Sequence, residues 1–138
     1  MSALEIPPGF EEVPPGADRY SAGIGPFYRR AEGDGWVFGF RVEERHLNSN
    51  RVVHGGCLMS YVDEMLGISV HHAIGQRRCA TITLNNEFVS AGKLGDWIEG
   101  YPEIVRVTRS VVFIRGTLKV GDRTVLASSG IWKVLGEA

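Results

Sequence analysis

The residues best suited to chemistry cluster between positions 48 and 63, in the run NSNRVVHGGCLMSYVD. Within it, His54-Gly55-Gly56 leads into CLMSYVDEMLGISVHHAIG, a long apolar stretch without proline that reads as a helix. A helix N-terminus offers unpaired N–H donors and a positive dipole end, which together stabilise negative charge developing on an attacked carbonyl oxygen. Two glycines at that point let a substrate approach the backbone with no Cβ in the way. Asp63 lies inside the same helix, with Glu64 as its neighbouring rival. A carboxylate among apolar residues is costly to bury, and perturbed carboxylates gather at functional sites, so Asp63 is a candidate general base or nucleophile. Cys57 stands in the first turn, where a thiolate is stabilised, but the helix is buried and no third group to orient a Cys-His pair is evident. His71-His72 suit the negative C-terminal end of the helix better than a metal. Gly23-Ile24-Gly25 is followed by Pro26 and is no dinucleotide fingerprint.

These residues need elements to hold them. The apolar positions of the helix cover most of its circumference, which predicts a buried helix with something wrapped around it. Gly67 in its middle lowers helix propensity by about 1 kcal/mol, a cost compatible with close approach of another backbone, and a second helix is the expected neighbour. Trp36, Phe38, Phe40 and Val42 alternate with other residues at the period of a strand, with a shorter strand expected over 24–30. Four strands follow the helix, over 80–89, 96–107, 110–120 and 123–135, the last two joined by a tight turn at Gly121-Asp122. Pro102 predicts a bulge or an unpaired edge. Residues 1–20, with two Pro-Pro pairs and four acids against one arginine, read as a surface arm without regular structure, and 21–138 as one α+β domain.

A chain of 138 residues, 43% apolar and 22% charged, fits one soluble globular domain. Its net charge of -1 argues against a dedicated nucleic-acid binder. Two cysteines without C-x-x-C spacing suggest neither zinc nor a disulfide scaffold. No apolar run matches a membrane span or a signal peptide, so the expected location is cytoplasmic.

Asn48, the run His54-Gly55-Gly56 six residues on, Asp63 nine residues after the histidine, and the strand ATITLNNEFVSAGKLGD with Thr81 form a spaced set. The set resembles the hotdog-fold acyl-CoA thioesterases, in particular the branch of phenylacetate-pathway and thioesterase-superfamily-member-2-like proteins. The resemblance covers about 36–135. It implies a long curved antiparallel sheet wrapped around one central helix, and hydrolysis of an acyl-CoA to free acid and CoA. No metal and no cofactor are implied, the CoA being part of the substrate.

The resemblance selects Asp63 over Glu64. It also gives Asn48 the task of orienting water or the carbonyl, His54 that of fixing the loop and polarising the thioester, and Thr81 that of holding the water or Asp63. Gly55 and Gly56 face the carbonyl. Arg109, in a segment where Arg106, Arg109, Arg115, Lys119 and Arg123 face only Asp122, is the candidate for the CoA phosphates. Tyr61, Phe88 and Met59 are candidate pocket residues. A homodimer is expected, a dimer of dimers being the family habit, with no nucleic-acid or membrane partner.

Two other readings compete. A hotdog hydratase or dehydratase uses a different histidine–carboxylate motif, against which His-Gly-Gly argues. A non-catalytic acyl-CoA sensor needs the pocket but not Asp63, and 138 residues leave no room for an added DNA-binding domain. Gly55 and Asp63 are eight residues apart, roughly 12 Å along one helix, so the site is expected to combine the helix start of one chain with Asp63 of another.

Overall fold

The computed structural model describes residues 5–14 and 19–136. One antiparallel sheet contains β1 (Glu11–Glu12), β2 (Tyr28–Glu32), β3 (Gly35–Arg41), β4 (Arg78–Phe88), β5 (Trp97–Val107), β6 (Val111–Val120) and β7 (Arg123–Gly136). Its order is β1-β2-β3-β5-β6-β7-β4. The long helix α2 (Gly55–Ala73) lies against it, and a short helix α1 (Arg19–Ile24) precedes β2. Side chains from β2 and from β4, far apart in the sheet order, line one groove over α2, so the sheet curls around the helix. No helix among the described residues is long and apolar enough to cross a membrane.

Leu58, Tyr61, Val62, Met65, Leu66 and Val70 form the buried stripe of α2, at the three- and four-residue spacing of one helix face. They join Ile98, Ile114, Leu118, Leu126 and Trp132 of the sheet in a single core. Two sheet glycines make this packing possible. A Cβ on Gly100 would lie 2.3 Å from Met65 Sδ, and one on Gly116 would lie 2.9 Å from Leu66 Cδ2. Bare backbone at these two points is what lets large helix side chains rest on the strands.

The four strands after α2 and the turn at Gly121, with φ +58, match expectation. Other expectations need correction. The helix is buried on one stripe only, since Met59 is 41% exposed and Asp63, Glu64, Gly67 and Ile68 are half-buried. Within the chain, the group nearest to Gly67 is the Trp132 indole, 3.6 Å from where a Cβ would stand. The arm is not wholly irregular, because Glu11 and Glu12 pair with Arg29 and Tyr28 and cover backbone groups on the outer edge of β2. Residues 1–4 and 15–18 of that arm lie outside the described residues.

The strand expected over 24–30 starts later, at Tyr28, after α1 and Pro26, which has no N–H to pair. Pro102 itself sits in register opposite Gly116, and the bulge falls between Ile104 and Arg106. The β3–β5 pairing stops at Gly100, so Pro102 lies where β5 has one neighbour rather than two.

Candidate active site

The loop before α2 is tied down by its own polar groups. Asn48 Oδ1 accepts the N–H of Asn50 at 2.9 Å and that of Val52 at 3.3 Å, an Asx turn that commits this oxygen to the loop. The N–H of His54 donates to the His46 carbonyl at 2.8 Å. His46 is only 3% exposed; its Nδ1 accepts from the Glu43 N–H at 3.0 Å and its Nε2 donates to the Ile24 carbonyl at 2.8 Å. Burial pushes the His46 imidazole below its ordinary range.

His54 caps α2, its Nδ1 accepting the Gly56 N–H at 2.8 Å. In the neutral ring the proton therefore sits on Nε2, as an outward donor. With Gly56 engaged, the Gly55 N–H is left without an acceptor among the described residues. The Phe88 ring stands beside it, 3.3 Å from the position of a Cβ on Gly55.

Further along α2, the Thr81 hydroxyl donates to Asp63 Oδ1 at 2.8 Å. Asp63 is therefore not stranded in an apolar interior: it faces a groove of about 770 Å³ with a hydroxyl holding one of its oxygens. Glu64, Gly67, Ile68 and His71 continue that wall, β4 contributes Arg78 to Thr81, β7 contributes Trp132 and Leu135, and Val13, Pro14 and Arg29 close the other side. Burial, and then the Asp63 charge, raise the Cys79 thiol. Burial pushes the Cys57 thiol up to about 11, so it stays protonated at neutral pH and is no nucleophile.

A free N–H at a helix start suits an oxygen gaining negative charge, and a carboxylate steadied by a hydroxyl suits proton transfer to or from water. Both parts fit addition to a carbonyl. A sequence model of the Thioesterase superfamily matches residues 50–127, more than half of the chain. The chain belongs to this superfamily.

Among relatives of this superfamily member, Putative esterase PA0474 of Pseudomonas aeruginosa is 25% identical over 131 residues, covering 94% of this chain and 97% of its own. The Escherichia coli PaaI protein from the phenylacetic acid degradation operon superposes with a TM-score of 0.79 at 18% identity, over 88% of each chain. A hypothetical thioesterase protein of Streptococcus pneumoniae, solved with coenzyme A, superposes with a TM-score of 0.71 at 24% identity, over 80% of this chain and 87% of its own. The curled sheet around one long helix is the hotdog fold, as the resemblance implies.

The structure brings Asp63 and Thr81 together, and separately His54, Gly55, Gly56 and Phe88. It does not bring every candidate to the groove. Tyr61 is 1% exposed, packed against Phe27 and Phe40 in the core, and its ring is a wall of the fold rather than of the groove. Arg109 stands exposed in the β5–β6 turn and is not among the groove residues. Sequence reasoning missed Arg29, Arg78 and Trp132, which line the groove from three different strands. Nothing in their local sequence marks them, since only the curl of the sheet makes them neighbours. A second cavity of about 330 Å³, lined in part by Trp36, His72 and Tyr101, opens where β3 and β5 part and contains none of the candidate residues.

Proposed function

We propose that this protein hydrolyses acyl-CoA thioesters to free acid and CoA, in sites shared between two copies of the chain. The observation that carries the reading is the Thr81–Asp63 hydrogen bond of 2.8 Å on the open side of α2, in a helix whose Gly55 N–H has no acceptor among the described residues. The thioester oxygen accepts from that N–H, with His54 Nε2–H beside the same helix start. Asp63, held by Thr81, takes a proton from water as the water attacks the carbonyl carbon. The tetrahedral intermediate then expels the CoA sulfur, which leaves with a proton returned by Asp63. A direct attack by the Asp63 carboxylate instead breaks the C–S bond, releases the CoA thiolate and leaves an acyl–Asp63 anhydride that water opens; ¹⁸O found in Asp63 by mass spectrometry after a single turnover in labelled water identifies this route.

Gly55 and Asp63 of one chain are eight residues apart, roughly 12 Å along the helix, which is too far for one thioester carbonyl. Two helices packed antiparallel across a two-fold axis place the start of each beside Asp63 of the other. The free edge of β4 and the exposure of Ile82 (55%) and Phe88 (54%) next to α2 support this pairing. The streptococcal neighbour solved with coenzyme A supports the choice of ligand.

Release of free CoA, read with a thiol-reactive dye across a panel of acyl-CoAs, tests the activity. Asp63→Asn should fold normally and lose at least about a hundredfold in turnover, the scale of lost acid–base participation. Near-normal turnover by this variant removes Asp63 from the chemistry. Binding of acyl-CoAs without release of CoA points instead to a sensor.

A further inference from the structure

The groove is electrically lopsided in a way that hydrolysis does not use. Asp63 and Glu64 stand midway along α2, whereas Arg78 follows Arg77, whose carbonyl lies 2.7 Å from His71 Nδ1 near the end of the helix, and the Arg29 guanidinium lies over Trp36, whose ring centre is 4.7 Å from that of His72 in the same last turn. Asp63 and His71 are eight residues apart on α2, roughly 12 Å. Between them the wall is largely uncharged, with Gly67, Ile68 and Trp132. Neither arginine forms an ion pair among the described residues.

Arg29 comes from β2 with its guanidinium 4.4 Å from the centre of the Trp36 ring, while Arg78 comes from β4, the opposite edge strand. Two cations are thus delivered to one open groove by strands that meet only because the sheet curls. Such guanidiniums, free of carboxylate partners, are suited to hold a carboxylate or phosphate through paired N–H donors.

We infer that this end of the groove is an anion subsite, so that preferred substrates carry a negative group roughly 12 Å from the reacting carbonyl. The inference rests on the thioesterase reading for the word substrate, though not for the subsite itself. Two parts of an acyl-CoA could supply the anion: a carboxylate at the far end of the acyl chain, or a phosphate of the CoA.

Four thioesters separate these sources: a medium-chain acyl group and the same chain ending in a carboxylate, each on CoA and each on phosphate-free pantetheine. In the double variant Arg29→Gln/Arg78→Gln, kcat/KM should fall about tenfold or more, as expected for lost charged hydrogen bonds. A fall confined to the carboxylate-ended chain on both carriers identifies the acyl carboxylate. A fall on both CoA thioesters and neither pantetheine thioester identifies the phosphate. Arg78→Lys, which keeps the charge, should retain part of the preference. An equal fall on all four, or no fall, overturns the subsite.

Calorimetry with suberate and with free CoA reads the subsite without turnover. If none of the four thioesters is hydrolysed but the wild type binds one of these anions and the double variant does not, the hydrolase reading fails and the subsite stands. Anion binding that is absent, or equal in both proteins, overturns the subsite whatever the activity.

Discussion

Gly55 is the residue at which the backbone itself enters the proposed chemistry. The His54 ring takes the Gly56 N–H, and the N–H of Cys57 donates to the His54 carbonyl at 2.9 Å, which leaves the Gly55 N–H as the donor pointing out of the first turn. Proline fits the first position of a helix and removes one donor only. Gly55→Pro should therefore leave the fold intact and lower kcat by about a hundredfold or more, the scale of one lost oxyanion donor. Gly55→Ala keeps the N–H and asks the Phe88 ring to give by a few tenths of an ångström from the 3.3 Å contact, so it should retain most activity. Steady-state kinetics on both variants, with circular dichroism as the folding check, decides the matter. Equal losses in the two would assign the effect to crowding against Phe88 rather than to the donor.

At the scale of elements, the loop between β3 and α2 is positioned by a buried histidine. His46 links Glu43 and Ile24 through its two ring nitrogens, lies edge-on to Phe40 with ring centres 5.4 Å apart, and holds His54 through its own carbonyl. Burial is the main cause of its lowered pKa; Arg45 lowers it further, while the Ile24 hydrogen bond and Glu43 act the other way. A depressed folded-state value means that the unfolded chain binds the proton first. The His46 contribution to stability is thus complete above the ordinary value of 6.5 and is lost as pH falls from there through the lowered folded value. A protonated ring would also put a donor against the Glu43 N–H. Gln at this position offers an acceptor and a donor at similar spacing without titrating. The melting temperature of His46→Gln should therefore depend less on pH below 6.5 than that of the wild type, and amide exchange in 19–27 should no longer quicken there. Identical pH dependence in the two proteins would show that His46 is not the group that titrates.

At the scale of the whole molecule, the groove is the gap left where the sheet fails to close around α2. The unpaired edge of β4 and the open face of α2 lie side by side along that gap. In the proposed pairing, a second copy laid antiparallel there would complete two sites at once. The sharpest consequence is complementation. Mixed dimers of Asp63→Asn with Gly55→Pro carry both defects in one site and neither in the other, so mixing two inactive variants should restore up to about half of wild-type activity per mixed dimer. Verified mixed dimers no more active than their correctly folded parents would place each site within one chain.

Much of the architecture was legible in the sequence because it follows from local periodicity. The apolar helix, the four strands after it and the turn at Gly121 all appear where they were expected. The candidate pair Asp63 and Thr81 also came from spacing within one family pattern, and the chain brings the two into hydrogen-bond contact across eighteen residues. Tyr61 was misread as a pocket residue because an apolar ring on a helix looks the same whichever side the sheet covers. The stripe of α2 that stays open, the pairing of Pro102 and the meeting of Arg29 with Arg78 depend on how far the sheet curls. That curl is set by side chains and by bare glycines at 100 and 116, which touch the helix from strands remote in sequence. Periodicity along a chain encodes which face of an element is apolar; what stands opposite that face is settled only when distant segments pack.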